Sequence, residues 1–372
     1  MRDSPLPVLA PPAAAAQALV PSVFLHLGRD RVYNPLTDRL LREGDAGYGE
    51  LRQVLAGELG PETLPAGSAA ELERGGWLVP SGLDEARRFL LKYVSLELHT
   101  VCNQSCYFCP VSVAPREPHF MPTEQFESIV GQLAAFAATI EGVALINYNE
   151  PTLDKRFLEQ VRTIRQAGLP PAVLTNGSGL TPQRVDALLE MGGLSFLSIN
   201  LSTLDRQRYS GERGGDHLEV VLRHLDYARD LPLAPQMEIV VLGTGDTTHR
   251  GDYEAIRERF AGSRFAVKRH GVMDRAGLLQ IGARPPSPHK KLRGCENVGS
   301  RPLQHLHITP YAKCVLCCED YYEKYVVGDL AVSTVAEVLA GDELARLRRW
   351  VYGVEEAPAD FMCRKCIYAR TR

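Results

Sequence analysis

From about residue 95 to about residue 270, short apolar runs alternate with longer stretches whose apolar residues recur every three or four positions. The short runs predict strands at 95–101, 142–147, 171–175, 195–201, 237–242 and 265–269. The longer stretches predict helices at 122–138, 154–168, 181–191, 215–229 and 252–260. Strand–helix alternation with apolar strands implies an α/β fold, a parallel sheet covered by helices. Six such units suffice for a partial (β/α)6 TIM-like barrel over residues 83–290, with ligands at the C-terminal ends of its strands.

Both flanks depart from this rhythm. Residues 1–19 are rich in Ala and Pro and read as a disordered leader. Residues 20–82 predict a small winged-helix-like domain: a hairpin from Val20–Leu27 to Val32–Pro35, helices over Tyr48–Leu59 and Ala69–Gly75, and a returning strand at 76–80. A helix or linker over 84–94 leads to the first barrel strand. Beyond 291 the pattern predicts a hairpin starting near His307 and one helix from Val335 to Trp350.

Composition narrows the classes. The 372 residues carry a formal net charge of −3, with no basic excess to suggest nucleic acid. No apolar stretch near the start has a membrane-length core, so neither a signal peptide nor a membrane partner is expected. Nine cysteines, an odd number in two groups, fit metal ligands in a reducing cytoplasm better than a disulfide framework.

The first group, Cys102, Cys106 and Cys109, follows the first barrel strand at spacings of four and three, with Phe108 before the last. Three thiolates hold three irons of a [4Fe–4S] cubane and leave the fourth iron open. Zinc would favour four ligands, or three and water. The second group comprises Cys295, Cys314, Cys317, Cys318, Cys363 and Cys366. Cys363-x2-Cys366 is a metal pair in need of partners, and Cys295 with one of the adjacent cysteines completes four thiolates. A structural zinc at the same four is the alternative. In an extended segment neighbouring side chains oppose each other. Cys317 is then the ligand, while Cys318 faces the barrel mouth beside Asp320 or packs as core.

Cys102-x3-Cys106-x2-Cys109 with Phe108 resembles the signature loop of the radical S-adenosylmethionine (radical SAM) superfamily. The Cys317-Cys318-x-Asp320 run, the Gly328-Asp329-Leu330 turn and the terminal Cys-x2-Cys resemble the auxiliary-cluster domain called SPASM, or its shortened twitch form, over residues 291–372. The resemblance implies a cluster whose open iron chelates S-adenosylmethionine, its reductive cleavage to a 5′-deoxyadenosyl radical, hydrogen abstraction from a substrate, and a reducing partner such as flavodoxin or ferredoxin. One auxiliary [4Fe–4S] cluster is expected from six cysteines, and Cys318 beside Asp320 is then the candidate thiol to return a hydrogen atom to a substrate radical, as in radical epimerases.

Further residues follow from the same resemblance. Asn149 and Glu150 lie in a segment similar to the family's Gly-Gly-Glu-Pro run, which hydrogen-bonds the amino group of S-adenosylmethionine; a helix start is the local alternative. Thr175-Asn176-Gly177 matches a frequent family turn, and Ser198-x-Asn200 is similar to a Ser-x-Asp pair that touches ribose or substrate. Ser198, Asn200 and Ser202 should share one strand face. Arg213 occupies the place of an arginine that approaches the methionine carboxylate, or else faces solvent. Lys268, Arg269 and His270 line the substrate mouth or face water.

The N-terminal unit loosely resembles precursor-peptide-recognition domains, which capture a leader peptide by strand addition. The expectation is therefore an enzyme that cross-links or epimerises a ribosomal precursor peptide. The alternatives are a dehydrogenase or epimerase of a small metabolite such as an aminosugar, and a non-catalytic iron–sulfur protein.

Overall fold

The computed structural model describes residues 17–283 and 290–371, so the expected leader lies outside it except for 17–19. Two compact units divide at Glu85/Ala86. The first contains β1 (Leu19–Pro21), β2 (His26–Leu27), β3 (Arg31–Asn34), β4 (Arg39–Arg42), α1 (Tyr48–Ala56), α2 (Ala66–Arg74) and β5 (Leu78–Pro80). Strands β2-β3-β4 form an antiparallel meander with β4 at one edge, and β1 pairs with β5. The hairpin strand expected over Val20–Leu27 is thus split. Pro21 has no N–H to continue a ladder, and the Ser22 amide turns to the Trp77 carbonyl at 3.0 Å. Leu51 and Val54 of α1 and Leu72 of α2 bury against Val32, Trp77 and Leu78 to make this unit's core.

In the second unit the strands are β6 (Tyr93–Leu96), β7 (Gly142–Ala144), β8 (Pro171–Thr175), β9 (Phe196–Asn200), β10 (Met237–Gly243) and β11 (Phe265–Gly271). Between them run α3 (Thr123–Leu133), α4 (Phe157–Gln166), α5 (Pro182–Glu190), α6 (Arg206–Arg213), α7 (Leu218–Ala228) and α8 (Thr247–Arg259). The six strands are parallel and lie in chain order, which is the partial (β/α)6 barrel. Val94, Val143, Val173, Leu197, Ile239 and Val241 on the strands bury against Ile129, Val161, Leu188, Val221 and Ile256 on the helices. Each such side chain contributes roughly 1.5–3 kcal/mol by leaving water.

The first strand is shorter than its apolar alternation predicts. After Leu96 the chain leaves β7, and the amides of Thr100 and Met121 bond across to His119 and Leu98 at 3.0 and 2.8 Å. Residues 97–101 therefore line the mouth instead of the sheet. Lys268, Arg269 and His270 at the end of β11 are exposed, the water-facing alternative.

The C-terminal part comprises β12 (Leu292–Cys295), α9 (Arg301–Gln304), β13 (His305–Ile308), β14 (Lys313–Val315), β15 (Val326–Asp329), α10 (Val335–Ala340), α11 (Asp342–Val351) and β16 (Ala369–Thr371). Its hairpin is not a separate sheet. β13 pairs in parallel with β6, so β13-β14-β15 extend the barrel sheet beyond its first strand to nine strands. β12 and β16 clasp the two ends of this part together. The single helix expected over Val335–Trp350 breaks at Gly341, whose backbone is extended, φ −68° and ψ 158°. A Cβ there would meet the Glu337 carbonyl at 2.9 Å.

Candidate active site

The cysteine loop leaves the sheet after β6 and is seated on the C-terminal end of α6. The amides of Ser105 and Tyr107 donate to the carbonyls of Arg213 and Glu212, each at 2.9 Å. Gly214, at φ 68°, ends α6 in the left-handed region, and a Cβ on it would lie 2.0 Å from the Ser105 hydroxyl. Only glycine lets the loop sit this close.

Arg213, expected near the methionine carboxylate or in solvent, is buried behind the loop. Its Nη2 donates to Asn200 Oδ1 at 2.6 Å and Ser202 Oγ at 2.8 Å, while Nη1 reaches Gln104 Oε1 at 3.3 Å and Cys106 Sγ at 3.9 Å. The guanidinium also lies over Phe108 and Tyr209, 5.4 and 5.1 Å from the ring centres. It fastens the loop to the end of β9.

Cys102, Cys106 and Cys109 are free thiols. Burial, with a smaller contribution from neighbouring cysteines, pushes Cys102 up to about 12 and Cys106 to about 11. Thiols held in this way stay protonated until metal coordination deprotonates them outright. This donor set fits a three-thiolate iron–sulfur cluster.

Opposite the loop, Glu150 organises the ends of β7 and β8. Its carboxylate accepts from the Thr152 amide (3.1 Å) and hydroxyl (2.5 Å), the Thr175 hydroxyl (2.6 Å) and the Asn176 amide (2.7 Å). Asn176 Nδ2 donates to Asn103 Oδ1 at 2.8 Å, which ties this wall to the cysteine loop. Asn149 Oδ1 accepts from the Asn147 amide at 3.1 Å, and its Nδ2 lies 3.4 Å from His99 Nε2. Ser198, Asn200 and Ser202 do not act as one face. Ser198 donates to Glu238 at 3.0 Å, whereas Ser202, past the strand end at φ 65°, joins Asn200 through Arg213.

In the C-terminal part, burial pushes up the Cys295, Cys363 and Cys366 thiols, and each lies within the field of Cys317. The structure thus gathers Cys295, Cys317, Cys363 and Cys366. Four thiols of this kind fit a cluster closed at every iron. Cys314 is fully buried on β14 and packs as core.

Cys317 and Cys318 do not diverge as strand alternation predicts. β14 stops at Val315, and Asp320 folds the next residues into a turn, accepting from the Lys324 and Tyr325 amides at 3.0 and 2.7 Å. Both oxygens of Asp320 thereby hold the turn, instead of pairing with Cys318. The sulfurs of Cys317 and Cys318 and a ring nitrogen of His307 all lie within 4.8 Å of one another. Arg301 Nη1 is 2.8 Å from Cys318 Sγ and 3.7 Å from Cys317 Sγ.

A small cavity opens between the barrel mouth and this turn, lined by Glu97, Arg116, Tyr148, Thr309, Cys318 and Tyr321, among others. Arg116 pairs with the buried Glu97 and lies over the rings of Tyr148 and Tyr321, at 5.8 and 5.3 Å. The Tyr148 hydroxyl donates to the Cys318 carbonyl. Cys109 feels the charges of Arg275, Glu97 and Arg116, so the cavity lies beside the first thiol set as well as the second. Glu97, Arg116, Arg275, Arg301, His307 and Glu319 were missed in the sequence reading. The one available signal was Glu97, an acid inside an apolar strand pattern.

A thiol loop at the mouth of a partial (β/α)6 barrel, facing a second thiol set across a polar cavity, defines an iron–sulfur enzyme. Residues 96–250 match the radical SAM superfamily and residues 295–367 match the SPASM iron–sulfur cluster-binding domain. The chain is a radical SAM enzyme with a C-terminal SPASM auxiliary domain.

Among curated proteins it is similar to the probable GTP 3′,8-cyclase of Pyrococcus horikoshii, 30% identical over 147 residues, covering 40% of this chain and 46% of that one. GTP 3′,8-cyclase of Synechococcus elongatus is 29% identical over 182 residues, 47% and 54% of the two chains. The chain thus spans about half the length of the curated relatives it matches. Among solved structures, Streptococcus suis SuiB bound to precursor peptide SuiA aligns with a TM-score of 0.56 at 12% identity, covering 94% of this chain and 93% of that one. The anSMEcpe structure with bound AdoMet aligns with a TM-score of 0.54 at 14% identity, covering 75% and 89%. At these identities the likeness is one of fold. Among the described residues no helix is long and apolar enough to cross a membrane.

Proposed function

We propose that this enzyme modifies a residue of a peptide, by cross-linking or epimerisation, with the reacting residue in the cavity between the two thiol sets. Cys102, Cys106 and Cys109 hold the catalytic cluster, and Cys295, Cys317, Cys363 and Cys366 hold one auxiliary cluster. When bound, the catalytic cluster with S-adenosylmethionine supplies the 5′-deoxyadenosyl radical that takes a substrate hydrogen. Glu150, Asn149, Thr175 and Asn176 shape the wall that receives the amino group of S-adenosylmethionine, Asn200 serves its ribose side, and Arg213 holds the loop to the end of β9. The Glu97–Arg116 pair and Tyr148 orient the substrate and keep water out. Cys318, half-buried at the cavity wall, is the hydrogen donor if the outcome is epimerisation, and Asp320 fixes the turn that presents it. Flavodoxin or ferredoxin supplies the electron.

The observation that carries the peptide reading is the separately folded unit at residues 17–85. Its edge strand β4 exposes Leu40, and the same unit also exposes Val20, Val23 and Leu27. An unpaired edge next to apolar side chains accepts an extended peptide by strand addition. SuiB, whose fold this chain shares over most of its length, is bound to a precursor peptide. A second reading, a small polar metabolite such as an aminosugar, is favoured by the cavity's polar lining. The deciding experiment measures binding of a fluorescent candidate precursor peptide to the full chain and to a chain lacking residues 1–85. Binding lost with the deletion supports peptide capture. Equal binding by both sinks it, and turnover of an aminosugar by the truncated chain establishes the metabolite reading.

A further inference from the structure

Among the described residues Arg301 is the one guanidinium that contacts both sulfurs of the adjacent cysteine pair, at 2.8 Å to Cys318 and 3.7 Å to Cys317. Its side chain is 15% exposed, and its buried Nε has no partner among the described residues. Glu319, 3% exposed, accepts from Arg301 at 3.4 Å and from Arg275 at 3.2 Å. Two guanidiniums therefore share one carboxylate, and one positive charge is left in excess beside the sulfurs. The rings of His305 and His307 stack 5.1 Å apart.

Hydrogen bonds to cluster sulfurs and the net charge around them set an iron–sulfur reduction potential. A cation that donates to a ligand thiolate stabilises the reduced cluster, which carries one more negative charge. Arginine is suited to this because it stays charged when buried. Its reach to both sulfurs makes the effect independent of which cysteine ligates iron.

We propose that Arg301 raises the reduction potential of the auxiliary cluster, with Glu319 as the counter-charge that limits the rise. The inference rests on the reading that these thiols bind a cluster. The test is an EPR-monitored redox titration of the anaerobically reconstituted full chain. The auxiliary signal is identified as the one that persists when Cys102, Cys106 and Cys109 are all replaced by alanine.

Arg301→Gln should shift the auxiliary midpoint to lower potential, Arg301→Lys should shift it less, and Glu319→Gln should shift it upward. The catalytic cluster's midpoint should stay in place in all three. An unmoved auxiliary midpoint in Arg301→Gln at full iron content overturns the proposal, as does a downward shift in Glu319→Gln. Where Arg301→Gln loses the auxiliary iron, the direction of the Glu319→Gln shift decides alone, and no shift there counts as refutation. A triple-alanine protein without any auxiliary signal refutes the cluster reading itself, and the proposal falls with it.

Discussion

Replacing Glu150 by glutamine tests whether its carboxylate holds the cofactor wall together. Three donors converge on Oε1, the Thr152 amide and the hydroxyls of Thr152 and Thr175, while the Asn176 amide alone faces Oε2. Glutamine offers one acceptor and one donor at nearly the same volume. Its better placement keeps the carbonyl at Oε1 and sets an NH2 against the Asn176 N–H, which stood 2.7 Å from the lost oxygen. One charge-assisted bond then disappears and two buried donors face each other. A hydrogen bond to a charged group is worth about 1.5–3 kcal/mol, and a buried unsatisfied donor costs about 1–3 kcal/mol. Against this, burial pushes the Glu150 carboxyl up, so the neutral amide recovers part of a desolvation cost. The net expectation is a loss of about 2–4 kcal/mol in urea unfolding of the anaerobic protein followed by circular dichroism. The damage should also be directional. Asn176 bonds to Asn103, next to Cys102, so chelator should strip iron from the triad faster than from the auxiliary set. A change below about 0.5 kcal/mol, within the range of ordinary surface substitutions, would refute the argument. Equal iron loss from both sets would refute its second half.

Other expectations follow from the same geometry. Reconstituted protein should hold about 8 irons in two cubanes; the triple alanine variant of Cys102, Cys106 and Cys109 should keep about half and lose all cleavage of S-adenosylmethionine, and retained cleavage would refute the triad assignment. Cys314→Ala should cost roughly 1–3 kcal/mol as a buried truncation yet leave iron content unchanged, and iron loss would make Cys314 a ligand. Burial, then the charge of Arg301, pushes His305 down to about 3, with Tyr93 and His307 as its ring neighbours. The unfolded chain takes up a proton below pH 6.5 and the folded chain does not, so stability present above 6.5 falls as the pH drops toward 3. The loss is about 2 kcal/mol by pH 5, and His305→Phe should remove that much of the slope; an identical slope in the variant would count against it.

What was legible in the chain was what depends on near neighbours. Each barrel strand shows as an apolar run, and the thiol loop shows as spacing, because its ligands lie within eight residues of one another. Helix α6 was not legible for the same reason. Among its eight residues, Arg206–Arg213, the buried ones are Tyr209 and Arg213, so no apolar period marks it. Its role is to offer two carbonyls and a guanidinium to the cysteine loop.

The side of the cavity was harder still. Glu97, Arg116, Arg275, Arg301 and Glu319 come from five separate segments, and each reads alone as an ordinary charged residue. Their meeting depends on β13 pairing in parallel with β6, which brings the C-terminal part onto the barrel's first strand. Strand alternation gave the wrong direction for Cys318 because it holds only while the ladder lasts. The ladder ends at Val315, and two amide bonds to Asp320 then turn both thiols toward Arg301. Asp320→Asn isolates that cause, since one of its two side-chain acceptors becomes a donor facing an amide. The turn should loosen and Cys318 should react faster with a thiol-directed alkylating reagent in the iron-loaded protein. An unchanged rate would mean that the protein around the pair, and not the turn, sets its direction.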